Sequence, residues 1–122
     1  MSQTRIQHLL VDALDCRGPL DDAEQILSLM RRAAAAVGAT EIGQAECRYV
    51  PHGVTAVLFL AESHILVSTW PEHGTALFDV LLCGTDKDPH AVRRVLAEGL
   101  GAGREEIHEV GRLVAEVAKN VA

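Results

Sequence analysis

The chain lacks most of what would tie it to nucleic acid, a membrane or a covalent scaffold. Its three cysteines, Cys16, Cys47 and Cys83, form no CxxC pair and have no histidine at metal-ligand spacing. Neither a disulfide framework nor a zinc site is indicated, and free thiols in a reducing compartment fit better. No run of about 18 apolar residues is present to span a bilayer. The apolar stretch after Met1-Ser2-Gln3-Thr4-Arg5 is interrupted at Asp12, too early for a secretory signal. A cytoplasmic protein without a membrane partner is expected. Eleven Lys and Arg stand against 17 Asp and Glu, a net charge of −6. The basic residues are scattered apart from Arg31-Arg32 and Arg93-Arg94, which argues against a nucleic-acid partner. The motifs GxxxxGK[ST], GxGxxG, HExxH and GxSxG are absent, and the six histidines are dispersed.

Aromatic residues are also scarce, at 3% of the chain: Tyr49, Phe59, Trp70 and Phe78. The core must therefore be built from Leu, Val, Ile and Ala. The aromatics lie close together in sequence, which marks either a pocket or the general preference of aromatics for strands.

What is present is enough for one compact domain over residues 1–122. The chain is 48% apolar, sufficient to bury a core without disulfides or metals. RIQHLLVDAL, Arg5 to Leu14, reads as a strand ending at the turn signal Asp15-Cys16-Arg17-Gly18-Pro19. Asp21 or Asp22 then caps a helix whose apolar residues Ala23, Ile26, Leu27, Leu29, Met30, Ala33 and Ala34 follow helical spacing until Gly38. Thr40 to Val50 suggests a half-exposed strand, followed after Pro51-His52-Gly53 by the strand VTAVLFL. A break at Ala61-Glu62-Ser63-His64 precedes the strand ILVSTW, the turn Pro71-Glu72-His73-Gly74, and the strand TALFDVLLC, the last two strands forming a hairpin. Asp88-Pro89 opens a second helix whose apolar face is Ala91, Val92, Val95, Leu96 and Leu100, with Gly101 beyond its end. The tail from residue 103 to 122 suits either a helix or a strand interrupted at Gly111. The order predicts an α+β fold, a two-layer sandwich with both helices on one face of a mainly antiparallel sheet.

The candidate chemistry sits at one strand junction. Glu62-Ser63-His64 is followed one strand later by Trp70-Pro71-Glu72, and Cys83-Gly84 closes the next. Taken by themselves, Ser63 reads as a turn or strand-end serine and Cys83 as a small buried apolar residue. The segment AESHILVSTWPEHGTALFDVLLCG, however, resembles the signature of the prokaryotic S-adenosylmethionine decarboxylase proenzymes. HLLVDALDC, AVGATEIG and PHGVTAVLFLAESH are similar to that family as well, so the likeness runs from about residue 8 to 100.

The resemblance implies that the chain cuts itself between Glu62 and Ser63 into 1–62 and 63–122. The Ser63 hydroxyl attacks the Glu62 carbonyl to exchange amide for ester, elimination frees the upstream piece, and residue 63 ends as a pyruvoyl group. That covalent cofactor forms a Schiff base with a small-molecule substrate and acts as electron sink for decarboxylation, serving spermidine biosynthesis. Carried over by position, Cys83 is the acid that reprotonates the substrate carbon and Thr55 a hydroxyl that assists processing. Tyr49 stands where an aromatic stacks on adenine, and Trp70 and Glu72 form a pocket wall and a polar substrate contact. The family also implies a homodimer whose sites borrow residues across the interface, a pairing suited to a sheet with one uncovered face.

Two positions depart from the family pattern. Ser68 stands where the family has the histidine that serves as processing base, and Tyr49 replaces the usual Phe. A hydroxyl cannot act as a base with a pKa near neutral, which leaves His64 and His73 as candidates. Three readings stay open: slow processing, a non-cleaving binding or regulatory homologue, or a pocket retuned to arginine or ornithine by the same pyruvoyl chemistry.

Overall fold

The computed structural model describes residues 2–84 and 86–117. Its elements are β1 (Ser2–Leu14), α1 (Ala23–Ala36), β2 (Glu41–Arg48), β3 (Val54–Leu60), β4 (Ser63–Trp70), a 3₁₀ turn (Pro71–His73), β5 (Thr75–Leu81), α2 (Pro89–Gly99) and β6 (Arg104–Val117). The six strands form one sheet in the order β2-β3-β4-β5-β1-β6, every neighbouring pair antiparallel. The expected α+β sandwich is what the chain adopts. None of the described helices is long and apolar enough to cross a membrane.

Alternation along β1, β3, β4 and β5 sends one set of side chains to the helices and the other to an uncovered face. Leu9, Val11 and Ala13 of β1, Val54, Ala56, Leu58 and Leu60 of β3, Ile65 and Val67 of β4, and Ala76, Phe78 and Val80 of β5 are buried. Against them pack Ile26, Leu27, Met30 and Ala33 of α1, and Val92 and Leu96 of α2. Helix α1 covers β2, β3 and β4, whereas α2 covers β1 and β5. The capping residues behave as the sequence suggests. The Asp22 carboxylate accepts from the Gln25 N–H at 3.1 Å, and this bond holds its carboxyl below the usual carboxylate range. Asp88 accepts from the His90 N–H at 2.9 Å with Pro89 at the first helical position. In α2, Ala97 rather than Ala91 completes the buried stripe.

One glycine is required by a close backbone approach. A Cβ on Gly18 would lie 2.8 Å from the carbonyl carbon of Leu100. The Gly18 N–H donates to the Leu100 carbonyl oxygen at 2.9 Å, stitching the β1–α1 loop to the end of α2.

The strand boundaries differ from the sequence expectation in five places, one of them β2, which runs over Glu41–Arg48 and not Thr40 to Val50. The ambiguous tail is a strand over Arg104–Val117; residues 118–122 lie outside the described residues. Its pairing with β1 explains why that strand starts at Ser2 and not Arg5, since Ser2 lies opposite Val117. The break before β4 is only Ala61-Glu62, because Leu60 pairs with Ser63 and Phe59 with His64. Ser63 and His64 are thus strand residues. β5 ends at Leu81 and leaves Cys83 beyond it.

Leu58 is fully buried at the centre of β3 while Val50 is 98% exposed. Leu58→Ala is expected to cost about 2–5 kcal/mol of unfolding free energy, and Val50→Ala no more than about 0.5 kcal/mol. Urea titrations followed by circular dichroism check the difference.

Candidate active site

The Ala61-Glu62 turn joins β3 and β4 through two residues, and the second of them is left-handed, with φ of 58° at Glu62. That region favours glycine, and a residue with a Cβ is held there at a cost of order 1–2 kcal/mol. Immediately after it, the Ser63 hydroxyl accepts a hydrogen bond from the Cys83 N–H at 2.9 Å and donates to the Ala61 carbonyl oxygen at 3.1 Å. The Cys83 thiol points back at the Glu62 carboxylate, Sγ to Oε2 3.6 Å. The chain leaving β5 therefore returns across the turn, so Glu62, Ser63 and Cys83 meet although the sequence separates them. A cavity of about 110 Å³ lies beside them, lined by Ser63, Cys83, Ala61, Thr40 and Lys87.

His64 has the opposite parity and faces the uncovered side of the sheet. There its Nε2 lies 3.1 Å from Asp79 Oδ1 on β5, and His8 Nε2 on β1 lies 2.5 Å from the same oxygen. Arg112 of β6 completes the set, NH1 to His8 Nδ1 3.1 Å. A guanidinium has no acceptor, so Nδ1 of His8 accepts, its proton sits on Nε2, and that proton is given to Asp79. The two imidazoles and the carboxylate have donor atoms within 4.8 Å of one another, spacing that a divalent cation could use. Binding such a cation at His8 Nε2 would move the proton to Nδ1, where Arg112 already donates, and would add a second positive charge. The arrangement suits a hydrogen-bonded network better than a metal.

The remaining candidates gather at the other end of β4. Thr69 is buried and points to the helices, where its hydroxyl donates to the Leu20 carbonyl oxygen at 2.7 Å and accepts from the Val54 N–H at 3.0 Å. Its neighbours Ser68 and Trp70 are thereby turned to the uncovered face. Thr55 lies opposite Ser68 across the β3–β4 ladder, with hydroxyl oxygens 2.5 Å apart. Tyr49, just past β2, donates its hydroxyl proton to Thr55 Oγ1 at 2.9 Å. The Tyr49 N–H is fixed on the Gly53 carbonyl oxygen at 2.8 Å, and the Gly53 N–H on Asp21 at 2.7 Å. His52 Nε2 reaches Glu72 Oε2 at 2.8 Å. Burial pushes the Glu72 carboxyl up, but its own backbone N–H and His52 outweigh that and hold it below the ordinary range. Tyr49, His52, Thr55, Ser68, Trp70 and Glu72 line a cavity of about 290 Å³.

The nine residues singled out in the sequence thus form separate groups. Glu62, Ser63 and Cys83 meet at one end of β4; Tyr49, Thr55, Ser68, Trp70 and Glu72 meet at the other, and His64 joins Asp79. Ser68 lies five residues along β4 from Ser63, about 16 Å at the usual rise. His73 sits on the exposed 3₁₀ turn at the far end from Ser63. His8, Asp79, Arg112 and His52 escaped the sequence reading. His52 alone carried a signal, in the Pro51-His52-Gly53 turn beside Tyr49; the others depend on cross-strand register.

A family model described as S-adenosylmethionine decarboxylase matches residues 7–113. The S-adenosylmethionine decarboxylase proenzyme of Thermotoga maritima is 38% identical over 109 residues, covering 87% of this chain and 84% of the relative. That of Thermosipho africanus is 36% identical over 104 residues, covering 84% and 80%. The crystal structure of adenosylmethionine decarboxylase from Aquifex aeolicus superposes with a TM-score of 0.88 at 30% identity, covering 98% of this chain and all of the other.

The left-handed backbone at Glu62 yields a stability test. In a Ser63→Ala background that keeps the chain whole, Glu62→Gly is expected to raise unfolding free energy by roughly 1 kcal/mol, because glycine adopts that region without strain. A drop in stability measured by urea titration would show that the turn is relaxed.

Proposed function

The chain belongs to the S-adenosylmethionine decarboxylase family, and on that premise we propose that it is a proenzyme. It cuts itself between Glu62 and Ser63 and, as the pair 1–62 and 63–122, decarboxylates S-adenosylmethionine for polyamine synthesis. The observation that carries this reading is the strained Glu62 backbone beside a Ser63 hydroxyl held by the Cys83 N–H. Strain raises the energy of the amide that must be exchanged, and an N–H fixed on the hydroxyl oxygen places the nucleophile next to it.

The residues around Ser63 fit a pyruvoyl group. The group is no larger than the serine it derives from, and the 110 Å³ cavity leaves room beside it. When formed, it supplies an electron sink for loss of carbon dioxide. Around it, the Cys83 thiol is the group placed to return a proton to the substrate carbon, because the loop after β5 brings it to residue 63. Trp70 offers an aromatic wall and Glu72 an ionised carboxylate in the second cavity, suited to hold the remote part of a substrate with a positive charge. His64, hydrogen-bonded to Asp79, is fixed in orientation on the uncovered face.

The exposed face of the sheet supports a homodimer as part of this reading. Leu10, Phe59, Trp70 and Leu77 are each more than a third exposed on the uncovered side of the sheet, an apolar patch of the kind that another surface covers. The two halves of the site lie at opposite ends of β4. A second copy applied face to face about a two-fold axis that lies between the sheets and crosses β4 at right angles near its middle brings the Tyr49 end of one protomer towards the Ser63 end of its partner, which neither achieves alone.

Purified chain is expected to appear on denaturing electrophoresis as 1–62 and 63–122, with a carbonyl-bearing, blocked N-terminus on the second by mass spectrometry. Processed protein is then expected to release carbon dioxide from S-adenosylmethionine. Arginine and ornithine run in parallel: release from one of them alone replaces the substrate and leaves the chemistry standing. A chain that stays whole after prolonged incubation excludes the pyruvoyl route and leaves a binding homologue. Sedimentation as a stable monomer counts against the dimer.

A further inference from the structure

The second cavity contains three hydroxyls in a row. Tyr49 donates to Thr55 Oγ1 at 2.9 Å, and Thr55 Oγ1 lies 2.5 Å from Ser68 Oγ. Each hydroxyl has one proton to give. Because Thr55 receives the tyrosine proton, its own is best given to Ser68, the direction in which successive bonds polarise one another. The Ser68 proton is then free. Among the described residues Ser68 has no other hydrogen-bond partner, and it lines the cavity. The chain as a whole is a donor aimed outward, and it contains no group that takes up a proton at neutral pH.

We propose that Tyr49 is a positioning residue for self-cleavage: through Thr55 it turns the Ser68 O–H into the cavity as a polarised donor for the oxygen that becomes negative at the cut bond. The inference rests on the proposed function, including the face-to-face dimer, since Ser68 lies too far along β4 to serve Ser63 of its own chain. In the step assisted, the Ser63 oxygen bonds to the Glu62 carbonyl carbon and the carbonyl π electrons move onto its oxygen. Collapse of that oxyanion breaks the C–N bond, the Ser63 hydroxyl proton passes to the Ser63 amine, and the two pieces stay joined through an ester. They part when a base takes the Ser63 Cα proton, the Cβ–O bond breaks and the Glu62 carboxylate leaves. Ser68 takes up no proton in the exchange of amide for ester. Stabilising the oxyanion by a pre-aligned donor is sufficient for that exchange, which needs orientation at this position and not basicity. Orientation is what Tyr49 provides, itself fixed through Gly53 to Asp21. The role belongs to the Tyr49 hydroxyl and not to its ring.

Tyr49→Phe removes that hydroxyl and keeps the ring. Freshly translated full-length chains are sampled over time, treated under denaturing conditions with hydroxylamine, which cuts an ester and leaves amides intact, and followed by electrophoresis for the appearance of the 63–122 piece. The expected result is slower cleavage in Tyr49→Phe, several-fold to about ten-fold, the worth of one hydrogen bond. Ser68→His supplies the discriminating background, because an imidazole brings its own proton and base. There, Tyr49→Phe is expected to change the rate little, and the rate acquires a break with pH in the histidine range that wild type lacks. Equal cleavage by wild type and Tyr49→Phe overturns the inference while leaving self-cleavage intact. Equal slowing by Tyr49→Phe in the wild-type and Ser68→His backgrounds also overturns it, since the hydroxyl would then support only the local fold. Failure of wild type to cleave at all overturns the function on which it rests.

Discussion

The register across the Ala61-Glu62 turn is the constraint on which the remaining features of the site depend. Leu60 stands opposite Ser63, and since side chains alternate, that one pairing decides which half of β4 enters the core. Ile65, Val67 and Thr69 go to the helices; His64, Leu66, Ser68 and Trp70 go to the uncovered face. A slip of one residue would exchange the two sets, exposing Ile65 and Val67 and burying the His64 ring. The same pairing forces a two-residue connection, and with only two residues available the chain turns by placing Glu62 in the left-handed region. Burial of the core therefore holds the turn in its strained form. Thr69 adds a polar lock to the apolar one, because its hydroxyl joins the α1 approach at Leu20 to the start of β3 at Val54.

Two polar systems occupy the uncovered face, and they differ in kind. The first runs Arg112, His8, Asp79, His64 across four strands and contains formal charges of both signs. Its protons are ordered by the guanidinium, which can only donate, and the carboxylate, which can only accept. The second runs Tyr49, Thr55, Ser68 and contains no charge. In the proposal above, its direction is set at the tyrosine end. A charged network fixes ring orientation against competing water; a neutral one leaves a single oriented O–H at low desolvation cost.

Much of this was legible in the chain because local signals agreed with the tertiary outcome. Asp22, Asp88 with Pro89, and the helical spacing of Ile26, Met30 and Ala33 placed the helices, and VTAVLFL appeared as the strand from Val54 to Leu60. The tail was ambiguous for a physical reason. Ile107, Val110, Leu113 and Val114 satisfy a helical period as well as a strand's, and only pairing with β1 selects the strand. Ser63 looked like a loop residue because Glu62-Ser63-His64 is polar, whereas its pairing with Leu60 lies in the ladder. His8, Asp79 and Arg112 escaped for the same reason: they are adjacent only after β1, β5 and β6 have been set side by side, and no spacing within one segment encodes that.

The separation of the two groups along β4 gives the fold its functional logic. A strand is stiff, and about 16 Å of it lies between the turn where the chain is strained and the cavity where hydroxyls and aromatics gather. No side-chain rotation within one chain closes that distance. The apolar remainder of the same face, where Leu10, Phe59 and Leu77 are exposed, is the surface through which the proposed dimer closes it. In the dimer proposed above, association through those residues brings opposite ends of two sheets together. On that proposal, the apolar surface exposed in the isolated protomer is the means by which strained bond and oriented donor meet.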